Sequence, residues 1–144
     1  MDDSLVNFVK EEEKFIPKAY DDFKQISIGY GTRAKKGEKT ITKEEASRRL
    51  AKELNTHAKR VKAHAKKYNY KLNQNQMNAL ISFDYNTGSI SELTNNGTRS
   101  LSKIAEMMLF YWNAGGKKKE GLVKRRIKEQ KLFLTPMSKD EKTQ

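Results

Sequence analysis

Apolar residues recur along this chain at two periods, and each change of period marks an element. Leu5, Phe8, Val9, Phe15 and Ile16 share one face at helical spacing, which predicts a first helix. Asp2, Asp3 and Ser4 are N-cap candidates ahead of it. Pro17 is expected to close it, because the residue before a proline avoids the helical region. The period then shortens. Tyr20, Ile26, Ile28 and Tyr30 are β-formers, and Gly29 and Gly31 permit close backbone approach, so "KAYDDFKQISIGYG" predicts a short hairpin. "TRAKKGEK" follows as a basic loop that turns at Gly37.

The helical period returns after a capping box, Thr42-Lys43-Glu44-Glu45. Ala46, Leu50, Leu54, Ala58, Val61, Ala65 and Tyr68 define a long helix with Lys and Arg on its other faces. "LNQNQMNALISFDYNTG" predicts a third helix, capped near Asn73, ended by Gly88, and packed through Met77, Leu80, Ile81 and Tyr85. A loop follows. A fourth helix is expected to carry Leu101, Ile104, Ala105, Met108, Leu109 and Trp112 and to stop at Gly115-Gly116. The last helix runs from about Gly121 to Leu134, before Pro136. The expected fold class is α+β, mainly α, with one small antiparallel sheet near the N-terminus.

Composition narrows the functional classes. The 144 residues suffice for one domain with a hydrophobic core. There is no cysteine, so neither a disulfide nor a thiolate metal site is expected. The first residues are acidic and lack an apolar run, and no stretch reaches transmembrane length. A soluble, cytoplasmic chain without membrane insertion is expected. The net charge of +12 draws it to polyanions: nucleic acid, anionic lipid or an acidic wall polymer.

The carboxylates of "EEEKFIPKAYDD" sharpen this. On a helical wheel Glu11 faces solvent, Glu12 falls near the centre of the apolar arc, and Glu13 falls on its edge beside Val9 and Ile16. A carboxylate on an apolar face is costly unless it is paired or holds a proton. Arg126, inside the apolar arc of the last helix, poses the mirror problem. Glu12 or Asp84 are its candidate partners, and Arg126 and Glu12 are read as structural support.

Glu13, Phe15, Tyr20, Asp22 and the strand Ser27-Ile28-Gly29-Tyr30-Gly31 together resemble the phage-type lysozymes, the endolysin muramidases of glycoside hydrolase family 24. The likeness continues through "ITKEEA", "QMNALISFDYNTG" and "YWNAGGKKKEGLVKRRIKEQKLFL", covering about Leu5 to Leu134. It implies a lysozyme-like fold: an N-terminal lobe over 1–60 with the hairpin and the start of an inter-lobe helix, a helical lobe over 61–135, and a polar tail over 136–144. There are departures. The family's glycine after the acid is Lys14, its strand threonine is Ser27, and its usual six-residue step from Asp to that threonine is five here. A second register, Glu12 with Asp21 and Ser27, keeps the spacings of nine and six. Glu13 and Asp22 are preferred, because Phe15, Tyr20 and the Pro-Lys-Ala-Tyr run register on Glu13 and a turn tolerates a deletion.

The resemblance implies hydrolysis of the β-1,4 bond between N-acetylmuramic acid and N-acetylglucosamine in bacterial peptidoglycan, by inversion, causing wall lysis. Glu13 is the implied general acid, and a site bordered by apolar side chains suits a proton donor. Asp22 is the implied partner that orients water, with Ser27 helping to hold it. Inversion asks for carboxyls about 6.5–9.5 Å apart. Tyr20, Tyr30 and Asn86 are implied substrate contacts, and Asn86 reads equally as a helix C-cap beside Gly88. No cofactor, metal or nucleic acid is required, the chain is expected to be a monomer, and release from a host cytoplasm calls for a separate holin or carriage in a virion. His57 and His64 share a face seven residues apart with no evident carboxylate, and Trp112 reads as core. Two other functions compete. One is a basic helical nucleic-acid-binding module, which the Lys/Arg faces favour without a recognised motif. The other is a lytic transglycosylase, which needs a single acid and leaves Asp22 unexplained.

Overall fold

The computed structural model describes residues 3–22, 25–114 and 117–137. They divide into two compact units, Met1–Thr56 and His57–Gln144. The N-cap candidate Asp2, the glycine pair Gly115-Gly116 and most of the polar tail lie outside the described residues.

In the first unit, α1 (Asp3–Glu13) buries Leu5 and Val9. It ends three residues earlier than its apolar stripe suggests. Lys14 takes a left-handed φ of 60°, and its N–H donates to the Lys10 carbonyl at 2.9 Å. That is a C-terminal cap of the kind glycine usually makes, and it turns the chain into a strand before Pro17 is reached. Phe15 and Ile16 therefore leave the helical wheel, and Ile16 is 37% exposed. Glu12, expected at the centre of an apolar arc, is half-buried.

β1 (Ile16–Asp21), β2 (Ile26–Gly29) and β3 (Thr32–Arg33) form an antiparallel sheet in that order. Tyr20 lies opposite Ser27 and Asp21 opposite Ile26, with an irregularity between Ile16 and Tyr20. The other edge of β1 is taken by the loop that follows β3. Ala19 N–H donates to Lys39 O and Ile41 N–H to Pro17 O, each at 2.9 Å, and Lys18 bridges Thr40. At the end of β2, Gly29 has φ +67° and lies so close to α2 (Lys43–Lys67) that a Cβ there would stand 2.8 Å from the Ala46 Cβ. Ile28, Tyr30, Ala46, Leu50 and Leu54 complete this unit's core.

The second unit takes the C-terminal part of α2, where Ala58, Val61 and Ala65 are buried. Its centre is α3 (Gln74–Thr87). The Asn73 side chain accepts from Gln76 N–H at 2.8 Å, and the Gln76 side chain accepts from Asn73 N–H at 2.9 Å, so two orphan donors of the first turn are satisfied. Gly88 ends the helix at φ 67°. Every residue from Asn78 to Asp84 is buried, so the helix is enclosed on all sides instead of along one stripe. Burying Leu80, Ile81 and Phe83 contributes about 1.5–3 kcal/mol each.

α4 (Ile90–Leu93) and α5 (Leu101–Met108) follow, and α6 (Glu120–Leu134) packs against α3 and α5. α5 is shorter than its apolar stripe. Leu109 and Trp112 lie beyond it, Trp112 is half-exposed, and the chain instead forms a second small hairpin, β4 (Asn113–Ala114) with β5 (Lys117–Lys118). The fold is mainly helical with small antiparallel sheets, the α+β class that the sequence pattern implies.

Candidate active site

The hairpin of the first unit brings chemistry to the end of α1. Glu13 is the last residue of that helix and is half-buried. Asp22 follows β1, is exposed, and its N–H donates to the Gln25 carbonyl at 2.7 Å, which ties the ends of the turn together. Phe23 and Lys24, where the turn is shorter than the family pattern, lie outside the described residues.

Ser27 is fully buried. Its hydroxyl donates to Asp22 Oδ2 at 3.1 Å and accepts from Gln25 Nε2 at 3.0 Å. The same Gln25 amide also reaches the Gly31 carbonyl at 3.3 Å. The order of donors fixes the direction of this chain. An amide N–H can only donate, so the serine proton is left to point at the carboxylate. Ser27 thus orients Asp22 from behind, and Asp22 itself is exposed. Gln25 carries no signal in the sequence pattern, where it reads as an ordinary turn residue.

Tyr20 links Asp22 to Glu13. Its phenol is pushed above the ordinary tyrosine value, first by burial, then by the charges of Asp22 and of Glu13, while a hydrogen bond with Ser27 opposes the shift. Both carboxylates therefore lie within electrostatic reach of one phenol. Tyr30 is placed differently. It is 4% exposed, its ring lies 5.7 Å from that of Phe15, and Lys10 Nζ stands 5.6 Å over it, so its surface serves packing behind α1. Asp21 is exposed beside the basic loop.

The remaining predicted residues belong to the second unit. Asn86 is half-exposed near the end of α3. Arg126 is fully buried, and it has a carboxylate partner that the wheel argument did not name. Its Nε lies 2.7 Å from Glu129 Oε1, three residues along the same helix, and its guanidinium stands 5.1 Å over the Phe83 ring. Arg125 Nε reaches Glu129 Oε2 at 3.1 Å, and Ser82 Oγ donates to that oxygen at 2.6 Å. Asp84 has other work: it receives His57 Nδ1 at 2.7 Å, Ile90 N–H at 3.3 Å and Arg60 Nε at 3.4 Å. His57 therefore has the carboxylate that the helix pattern does not reveal. His64 meets Thr94 Oγ1 at 2.7 Å, and burial and then Lys67 hold its pKa down. Among the described residues no three His, Cys, Asp or Glu side chains gather as a metal site, and no helix is long and apolar enough to cross a membrane.

Known proteins resemble this chain in sequence and in fold. An endolysin of Lactococcus phage c2 is 34% identical over 137 residues, covering 92% of this chain and 59% of its own, so the chain spans less than two thirds of that relative. The muramidase domain of SpmX from Asticaccaulis excentricus superposes with a TM-score of 0.76 at 26% identity, covering 94% of this chain and 97% of that one. The endolysin from Escherichia coli phage FAHEc1 gives 0.72 at 26% identity, with 92% of each chain covered. Residues 10–129 match the family model described as phage lysozyme. The end of α1, the hairpin and most of the helical unit fall within that match, and the chain belongs to the phage lysozyme family.

Proposed function

We propose that this chain is a muramidase that hydrolyses the β-1,4 bond between N-acetylmuramic acid and N-acetylglucosamine in bacterial peptidoglycan. The observation that carries this is the hydroxyl of buried Ser27, which donates to the exposed Asp22 carboxylate at 3.1 Å, in the hairpin that follows the Glu13 end of α1. Glycoside hydrolysis needs a proton for the leaving oxygen and a second carboxylate on the other side of the reacting carbon. Glu13, half-buried, supplies the proton. Asp22, exposed and held by Ser27, stays on the water side, orients the attacking water and balances the oxocarbenium-like charge. Ser27 reaches Asp22 across the shortened turn, which supports Glu13 and Asp22 over the register of Glu12 and Asp21.

Because water attacks the face opposite the leaving group, the product of a β-linked substrate is the α-anomer. The basic surface favours the acidic wall, and the chain acts as a monomer. It is made in the host cytoplasm and reaches the wall with the help of a separate holin. The test combines NMR of the first product with Glu13→Gln, Asp22→Asn and Asp21→Asn. The expected result is the α-anomer first, no lysis by the first two variants, and lysis by the third. A first product of β configuration refutes inversion, an anhydro sugar indicates a transglycosylase, and a dead Asp21→Asn beside an active Asp22→Asn moves the site by one residue.

A further inference from the structure

The charge of this chain is distributed unevenly between its two units. Residues 1–56 carry 12 Lys and Arg against 11 Asp and Glu, so the unit that holds Glu13 and Asp22 is close to neutral. Residues 57–144 carry 18 against 7, a net charge of +11. Few carboxylates offset this at the surface. Asp84 is buried beside His57 and Arg60, Glu129 is buried between two arginines, and Glu106 pairs with Lys103.

α2 concentrates the excess. From Leu54 to Lys67 it has five Lys or Arg and no carboxylate. Arg60 turns to Asp84 and to the Gly88 carbonyl, and Lys67 lies 5.2 Å over the Tyr68 ring. Lys59, Lys62 and Lys66 are exposed, and none has an ion-pair partner among the described residues. Spacings of three and four place them in one row, about 10 Å long on the helix axis. The helix dipole favours a cation in the last turn, which accounts for Lys66 but not for Lys59 and Lys62, further in. Ala63 is the exposed residue among them, so the row carries no aromatic ring and no large apolar side chain. α6 repeats such spacing at Lys124, Lys128 and Lys131, but Glu120 opens that row and exposed Ile127 and Leu134 interrupt it.

We propose that the Lys59–Lys62–Lys66 row binds the phosphate backbone of duplex DNA without regard to its sequence. The inference goes beyond the muramidase reading and does not rest on it. Lysines are point charges that neutralise phosphates, whereas base edges are read by side chains reaching into a groove, so the row positions DNA without reading it. A helix is stiff, and a stiff row of charges suits a stiff polyanion that gives up no chain entropy on binding. The duplex also has the denser counter-ion atmosphere, so each phosphate contact releases more of it than a contact to a flexible strand does. A single strand asks for aromatic stacking platforms, and a lipid surface asks for apolar side chains to insert. The row offers neither. It also draws on no residue of the unit that carries the two carboxylates.

The test is fluorescence anisotropy with a short labelled duplex of mixed sequence, at about 0.1 M salt, where charges more than about 10 Å away are screened. The row variant combines Lys59→Gln, Lys62→Gln and Lys66→Gln. A control of equal charge combines Lys124→Gln, Lys128→Gln and Lys131→Gln. A third variant replaces the three α2 lysines by arginine, which keeps charge and helix propensity. The row variant is expected to bind the duplex about tenfold more weakly. Its plot of log affinity against log salt is expected to flatten by about 2–3, the value for three lost phosphate contacts. The control is expected to stay within about threefold of the parent, the arginine variant to match the parent, and a second duplex sequence to bind within about twofold of the first. No loss in the row variant, an equal loss in the control, or an arginine variant as weak as the glutamine variant overturns the site. Tighter binding of the single strand, of anionic phospholipid vesicles or of a polyol-phosphate polymer than of the duplex overturns the choice of partner. None of these readouts depends on wall hydrolysis, so a chain that cuts no glycan leaves the comparison intact.

Discussion

Replacing Glu129 by glutamine withdraws a charge from a place that water does not reach. Glu129 and Arg126 are 0% exposed and Arg125 is 4% exposed. Two guanidiniums and the Ser82 hydroxyl converge on this carboxylate, at 2.7, 3.1 and 2.6 Å. Glutamine keeps the shape and one acceptor oxygen, but it turns an NH2 toward one of the arginines. Removing one partner of a buried ion pair costs about 3–5 kcal/mol, because the other charge stays behind without its counter-ion. Unfolding entropy is about 2.1 cal/mol/K per residue, so for 144 residues it is about 0.3 kcal/mol/K. The expected fall in melting temperature is therefore about 10–17 °C, read by far-UV circular dichroism. An exposed pair is the control. Lys103 and Glu106 stand 3.5 Å apart with side chains 50% and 63% exposed, and Glu106→Gln is expected to move the melt by less than about 3 °C. A Glu129→Gln melt within about 3 °C of the parent would refute the assignment of Glu129 as the counter-charge.

Gln25→Glu replaces a donor with an acceptor at Ser27. The serine proton then turns away from Asp22, and kcat is expected to fall about tenfold to a hundredfold with KM unchanged, the size of a hydrogen bond to a charged group. Gln25→Met, which neither donates nor competes, is expected to lose less, and equal losses in initial-rate assays would count against a directional chain. Lys14→Gly removes a side chain from the left-handed position after Glu13 and is expected to stabilise the fold by about 0.5–1 kcal/mol, with lysis retained. A lower melting temperature for that variant would show that the lysine side chain matters more than its backbone.

The sequence is most legible where one residue type does one job. Asn73, Gln76 and Gly88 bracket α3 because capping and the left-handed turn leave a local chemical mark. The hairpin and the pairing of Tyr20 with Ser27 follow from β-formers on either side of a turn. Misreadings occur where packing overrides local pattern. Lys14 ends α1 in a conformation that no lysine advertises, so the apolar stripe of the sequence runs on through Phe15 and Ile16 after the helix has stopped. The stripe of α5 likewise continues past Met108, although the chain has turned toward a second hairpin. Arg126 stands out on the wheel as a buried charge, and one carboxylate partner lies three residues along its own helix, a spacing available from the sequence alone. Gln25 is invisible for a different reason: a polar residue in a turn is the default, and only coordinates show where its amide points.

The strip from Lys39 to Ile41 that runs along β1 has a meaning for how the chain behaves at high concentration. A small sheet with an open outer strand presents unpaired N–H and C=O groups, to which another molecule can add its own strand. Here the Pro17 carbonyl and the Ala19 N–H are already satisfied by Ile41 and Lys39, and Pro17 has no N–H to offer. The lysines of the same loop add mutual repulsion between copies. The loop thus acts as a guard against edge-to-edge aggregation. Shortening it by a few residues would uncover β1 and leave a protein with an intact core that nonetheless assembles into insoluble, strand-paired particles.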